Sequence, residues 1–170
     1  MIQEVNKSAE ANQPIFQIER LYVKEQSSKV PQSPQIFLQK WEPEFSTELQ
    51  INHAPLQTNH YEVTLHATVT AKLKGVTAFV AEAKQAGIFQ ISGFEEAVKT
   101  QLLGGYCPTV LLPYLRKIIS DMTLEAGFPP FTLAPINFDA AFAEQMQQIQ
   151  KNAAQAAQKE KEQLQPEKLH

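Results

Sequence analysis

Hydrophobic and polar residues alternate with a period of two over one long stretch of the chain. Tyr61, Val63, Leu65, Ala67, Val69, Ala71 and Leu73 fall on one side, and Glu62, Thr64, His66, Thr68, Thr70 and Lys72 on the other. The pattern predicts a long strand with one face buried and the other in water. Gly75 marks a tight connection, and residues 76–91 read as a second long strand in which Gly87 suggests a bulge or bend. Two earlier strands are expected over 15–25 and 44–51, the latter carrying Phe45, Leu49 and Ile51 in alternation. Between them Pro31, Pro34 and Pro43 exclude a helix or a central strand, so this segment, with Phe37 and Trp41, is a long crossover.

Beyond Gly93 the period turns helical. Leu102 and Leu103 precede Gly104-Gly105-Tyr106-Cys107-Pro108, which should interrupt the helix. Leu111, Leu112, Leu115, Ile118, Ile119 and Met122 then recur at helical spacing over 109–126, with Pro113 early in that piece. Phe128-Pro129-Pro130-Phe131 ends it. Asn137 is placed to cap a last helix with Phe138, Phe142, Met146 and Ile149 on one stripe. Strands come first and helices after. The expected class is α+β, a four-stranded antiparallel sheet with a long interrupted helix and a shorter C-terminal helix packed on it.

A chain of 170 residues is long enough for one domain with a real core. All the aromatic residues lie between Phe16 and Phe142, which delimits that domain. Residues 1–14 are expected to be a flexible lead, 15–150 the folded domain, and 151–170 a polar, mobile tail. A net charge of −3 gives no footprint for nucleic acid or an anionic membrane surface. One cysteine cannot form an intrachain disulfide, and no Cys/His set has zinc-ligand spacing. Met1 to Asn6 shows no basic run followed by an apolar stretch, so no signal peptide is expected, and no apolar run is long enough to span a membrane. The expected setting is the cytoplasm.

Enzyme chemistry has little to work with. Phosphate-loop, dinucleotide and zinc-protease motifs are absent, and no Lys-Ser/Thr pair follows Gly104-Gly105. A small hydrolase built on Cys107 would need a base beside the thiol. His66 is the one histidine in a firm element; His53 and His60 flank a loop and His170 is terminal. Asp121 and Asp139 read as ordinary helix residues. We therefore expect no catalytic set, no metal and no cofactor. The aromatic positions are more telling. Phe37 and Trp41 sit on the crossover, and Phe138 and Phe142 stand one helical turn apart on the last helix. These four either line an apolar groove between crossover and helix or pack that helix onto the sheet, and the residues leave both open.

Several motifs, in order, resemble the SecB family of bacterial export chaperones. They are Phe16-Gln17-Ile18-Glu19-Arg20-Leu21-Tyr22-Val23-Lys24, Gln85-Ala86-Gly87-Ile88-Phe89-Gln90-Ile91-Ser92-Gly93, Tyr106-Cys107-Pro108 with Leu111-Leu112-Pro113-Tyr114-Leu115-Arg116, and Leu133-Ala134-Pro135-Ile136-Asn137-Phe138-Asp139-Ala140. The resemblance implies a homotetramer, a dimer of dimers, that works without ATP or metal. It implies that unfolded precursor proteins are held and passed to the SecA motor, with no nucleic-acid partner and no insertion into the membrane. The family's client groove falls here on Trp41 and Phe142, to which the aromatic pattern adds Phe37 and Phe138. Its tetramer patch falls on Ala81, Ala83 and Gln85, and its SecA-binding positions on Glu25, Val80 and Glu82 of the exposed sheet face. Lys29 occupies a position normally acidic in the family, and the tail over 143–170 is neutral where family tails are usually acidic. A SecB-like chaperone dedicated to a toxin–antitoxin pair is the alternative.

Overall fold

The alternating stretch forms strand β3, His60–Leu73, in a computed structural model that describes residues 13–163 of the chain, 160–163 by backbone alone. The expected lead over 1–12 and the end of the tail over 164–170 lie outside the described residues. Val63, Leu65, Ala67, Val69 and Ala71 are fully enclosed, while Glu62, His66, Thr68 and Thr70 keep part of their surface in water. A turn with φ of 50° at Lys74 and 83° at Gly75 leads into β4, Val76–Ser92. Two successive residues with positive φ match the twist of the strands they join. Strand β1 is Ile15–Lys29 and β2 is Glu44–Gln57; the sheet order is β1-β4-β3-β2, antiparallel throughout.

Both outer strands run further than the hydrophobic pattern indicates. An edge strand faces water along one side, so the polar residues Gln26, Ser27 and Ser28 extend β1 without a burial penalty. Pro55 is admitted to β2 for the same reason, and a register shift follows it. Gly87 does not bulge: it pairs in register with Leu21 and Val63, and the register shifts lie elsewhere, in β1 at Ile18/Arg20 and Val23/Glu25 and in β4 at Ala78, opposite Ala71/Lys72. Glycine is needed at position 87 because a Cβ would stand 2.7 Å from Cε2 of the buried Phe89 ring.

The expected interruption of the helix is a change of pitch instead of a break. Helix α1, Glu96–Gln101, passes through a π-helical turn, Leu102–Tyr106, into α2, Cys107–Glu125. The Cys107 N–H donates to the carbonyl of Leu102, five residues back. Pro108 has no N–H and its ring would press on the carbonyl four residues before it, and the widened turn relieves that contact. Leu111, Leu112, Leu115, Ile119 and Met122 form the buried stripe of α2, which lies on β4 and β3.

Phe128 to Asn137 then runs back along α2. The Phe131 N–H donates to Thr123 Oγ1 at 2.9 Å, and Arg116 Nε donates to the Leu133 carbonyl at 2.9 Å. This return delivers Phe138, 2% exposed, to the π turn, where α3, Phe138–Gln163, begins. Asn137 caps it as predicted, its Oδ1 accepting from the Ala140 N–H at 3.0 Å. Two expectations need correction. The principal contacts of α3 are with the π turn and not with the sheet, because the return segment carries its start to the far end of α2. It is shorter than the interrupted helix that runs from Glu96 to Glu125, as expected, but it runs past residue 150 into the segment expected as tail. The crossover contains a single 3-10 turn, Gln35–Leu38, pinned by the buried Ile36.

Candidate functional site

Helix α2 covers the central strands and leaves β2 half bare. The register sets Phe45 beside Ala71, Leu49 beside Ala67 and Ile51 beside Leu65, so these β2 side chains share the helix side of the sheet with the buried row of β3. Phe45 nevertheless keeps 43% of its surface exposed and Ile51 37%. At one end of this strip the crossover meets the residues that follow α2. Trp41 lies 4.9 Å from Phe128 between ring centroids, Phe37 stacks on Phe128 at 5.1 Å, and Phe45 lies 4.6 Å from Phe131. Phe79, buried beneath, is 5.1 Å from Phe128. Phe37 itself remains 48% exposed.

The other two aromatic positions lie at the opposite end. Phe142 rests on Gly104 so closely that a Cβ there would meet its Cδ2 at 2.5 Å. Phe16, 5.1 Å from Tyr106 and 5.9 Å from Phe89, ties this π turn to the end of β4 farthest from Phe79. Phe79 and Phe89 are separated by roughly 33 Å of strand at 3.3 Å per residue. Phe37 and Trp41 are therefore brought together, Phe138 and Phe142 are brought together, and the two pairs do not touch. Phe131, Leu133 and Ile136 of the return segment, which runs between them in sequence, pack into or against the core. Sequence reading passed over Phe45, Phe128 and Phe131. Their signal was the pairing of aromatic residues with a helix-ending Pro129-Pro130 and an apolar row on an edge strand.

The opposite face of the sheet is polar and charged. Glu25, Ser27 and Lys29 of β1 stand beside Lys84, Glu82 and Val80 of β4, which stand in turn beside His66, Thr68 and Thr70 of β3. Glu25, Val80 and Glu82 thus share one surface, with Lys29 next to Val80. Lys84 Nζ donates to Glu25 Oε2 at 2.6 Å, and His66 Nε2 donates to Glu82 Oε1 at 2.7 Å. Further along, Glu62 accepts from Tyr22 at 2.5 Å and from Lys24 at 2.8 and 3.0 Å. Those donors hold the Glu62 carboxyl below its usual range, and burial together with Glu62 pushes the Tyr22 phenol up to about 12. His60 stands between the Thr58 carbonyl at 2.7 Å and Glu19 at 3.1 Å, and two oxygen acceptors favour the protonated ring.

Ala81, Ala83 and Gln85 point the other way. They are 0%, 0% and 2% exposed, buried on the helix side of the sheet. Cys107 is fully buried, and burial pushes its thiol up to about 12, far from a thiolate at neutral pH. Among the described residues no group of His, Cys, Asp or Glu is arranged to hold a metal, and no helix is long and apolar enough to cross a membrane.

Comparison with known proteins gives a consistent result. The sequence model of the family described as SecB, preprotein translocase subunit SecB, matches residues 9–149. The chain is 48% identical over 141 residues to the protein-export protein SecB of Methylococcus capsulatus, covering 83% of this chain and 91% of that protein. It is 45% identical over 149 residues to the protein-export protein SecB of Nitrosococcus oceani, covering 86% and 91%. Among solved structures, a SecB-like chaperone of Mycobacterium tuberculosis in complex with a ChAD peptide from an antitoxin has the same fold. It superposes with a TM-score of 0.59 at 16% identity, covering 71% of this chain and 90% of that one.

Proposed function

The chain belongs to the SecB family and is a chaperone of protein export, and we propose that it acts as an ATP-independent holdase in the cytoplasm, keeping unfolded precursors fit for translocation and delivering them to SecA. The observation that carries this reading is the half-bare row of Phe45, Leu49 and Ile51, walled at one end by Phe37, Trp41 and Phe128. An extended client laid along this strip buries apolar side chains at about 1.5–3 kcal/mol each when enclosure is complete. Such burial has no directional code and tolerates many sequences. A client that folds withdraws those side chains and leaves, so slow-folding precursors are retained. We place Trp41 and Phe37 at one end of the client path and Phe138 and Phe142 at the other.

We further propose a homotetramer, a dimer of dimers. Among the described residues strand β1 is an unpaired edge, with Ile15, Ile18 and Val23 between 41% and 47% exposed, and Tyr106 and Tyr114 are exposed on the helix. Long bare edges of this kind are normally covered by another chain. Four linked strips in one particle raise avidity by roughly 10²–10⁴ over a single one, which lets each contact stay loose. The SecA-docking surface is assigned to Glu25, Val80 and Glu82. The test is light scattering on a sizing column, with a second protein supplied folded or unfolded. A particle of about 76 kDa, four times the 19.1 kDa chain, that co-elutes with the unfolded form alone is the expected result. A particle indifferent to both forms would refute the holdase reading, and capture of one antitoxin segment but no other unfolded chain would support the dedicated chaperone instead.

A further inference from the structure

The carboxylates of the polar sheet face differ in how firmly they are held. Glu62 is locked: its side chain is 16% exposed and receives three donated hydrogen bonds, one from Tyr22 and two from Lys24. Glu25 and Glu82 are looser. Among the described residues, Glu25 is 51% exposed with one partner, Lys84, itself 32% exposed. Glu82, on the same count, is 35% exposed with one partner, His66. Lys84 stands directly beside Glu25 in the register and two residues from Glu82 on its own strand, so its ammonium lies within a Debye length of both. His66 stands beside Lys84 on the other side. The hydrogen bond and charge of Lys84 hold the Glu25 carboxyl below its usual range, and Glu25 first, with Glu82 adding to it, raises the Lys84 ammonium.

From this arrangement we infer that Lys84 is a built-in competitor on the docking face, whose ammonium must leave Glu25 before a cationic group of the partner takes its place, and that it therefore sets the affinity of docking. The inference rests on the assignment of Glu25, Val80 and Glu82 to SecA binding. An exposed pair with one hydrogen bond is held weakly enough to be exchanged, whereas the triply bonded Glu62 is not. A resident lysine weakens docking in two ways. It occupies one carboxylate, and it repels any incoming cation from the second.

Calorimetric titration of purified SecA into the whole protein at low and moderate salt tests this, with wild type, Lys84→Gln, Glu82→Lys, Glu25→Gln and the Lys84→Gln/Glu25→Gln pair. Lys84→Gln should tighten binding about two- to five-fold, the range over which exposed ion pairs act, and should steepen the salt dependence. In the Glu25→Gln background the gain should shrink, because the competed carboxylate is gone. If Glu82→Lys abolishes binding while Lys84→Gln leaves it unchanged or weaker, the competitor role is overturned and the docking surface stands. If Glu82→Lys leaves SecA affinity unchanged, or wild type fails to bind, the docking assignment falls and the role of Lys84 falls with it.

Discussion

Gly104→Ala separates the stability of the fold from the seating of α3. A Cβ at this position would stand 2.5 Å from Phe142 Cδ2 and 2.8 Å from its Cε2, so the ring has to retreat. Phe142 is half-buried, and losing that contact forfeits about half of the 1.5–3 kcal/mol assigned to a fully buried phenylalanine, roughly 1 kcal/mol. Alanine in a helical position gains about 1 kcal/mol over glycine. The two nearly cancel in the global balance, and the loss is confined to α3. The melting temperature should stay within about 3 °C of wild type, since 1 kcal/mol corresponds to roughly 2–4 °C at this size. Hydrogen exchange in the first turns of α3 should rise about fivefold, the factor that 1 kcal/mol implies. Gly105→Ala is the control. Its Cβ would collide with Asp139 Oδ1, the end of an exposed side chain that can swing into water, so the melting temperature should rise and exchange in α3 should not change. Phe142→Ala should match Gly104→Ala in exchange without the helical gain, and adding Gly104→Ala to it should restore the full gain. A drop of more than about 6 °C for Gly104→Ala, or unchanged exchange in α3, would refute the seating of that helix through Phe142 on Gly104.

The remaining predictions concern the strip, the thiol and a histidine. Trp41→Ala with Phe142→Ala should weaken capture of an unfolded protein at least about tenfold, or ~1.4 kcal/mol, without changing the mass of the particle in light scattering; undiminished capture would remove both from the client path. Cys107 should resist alkylation at pH 8 in the folded protein and react in urea, as its burial and a thiol pushed up to about 12 require; rapid labelling of the native form would contradict that burial. The His60 midpoint, followed by NMR, should lie above 6.5, and Glu19→Gln should lower it only partway because the Thr58 carbonyl is the larger cause. With the folded midpoint raised, this contribution to stability is complete below pH 6.5 and is lost as pH climbs through that midpoint. A midpoint at or below 6.5 would remove the pairing.

What was legible in the sequence follows from burial. Val63 to Leu73 declared a strand because α2 covers one of its faces and water the other, and Leu111 to Met122 declared a helix for the same reason. The ends of β1 and β2 carry no such contrast, since an edge strand is wetted along its length, and Ser27, Ser28, Asn52 and His53 gave no sign of pairing. Gly104-Gly105 signalled a disturbance in the helix. Whether the chain breaks there or widens depends on what sits against it, and Phe142 and Asp139 arrive from more than thirty positions further along. The separation of the crossover aromatics from those of α3 was hidden likewise, because it is set by the return of Phe128 to Asn137 along α2. Glu25, Val80 and Glu82 were reached through family resemblance. Their partners Lys84 and His66 emerge only from the register across three strands.

The bare strip and the bare edge have one geometric origin. A helix with its side chains is about 10–12 Å across, and strands are spaced about 4.8 Å apart. One helix therefore shields roughly two strands, and α2 is spent on β4 and β3. In a four-stranded sheet this leaves an apolar flank on either side: Phe45, Leu49 and Ile51 on β2, Ile18 and Val23 on β1. The flanks differ in their walls. The crossover and the return segment rise beside β2 through Trp41, Phe128 and Phe131, so that side is a trough suited to a single extended chain. Nothing among the described residues rises beyond β1, so that side is open along a whole strand and suits a surface of similar length and flatness, such as a second copy of the same edge. On the proposed reading the division of labour is thus a consequence of having one long helix for four strands. A second helix over β1 would remove the need for a partner, and one over β2 would remove the client path.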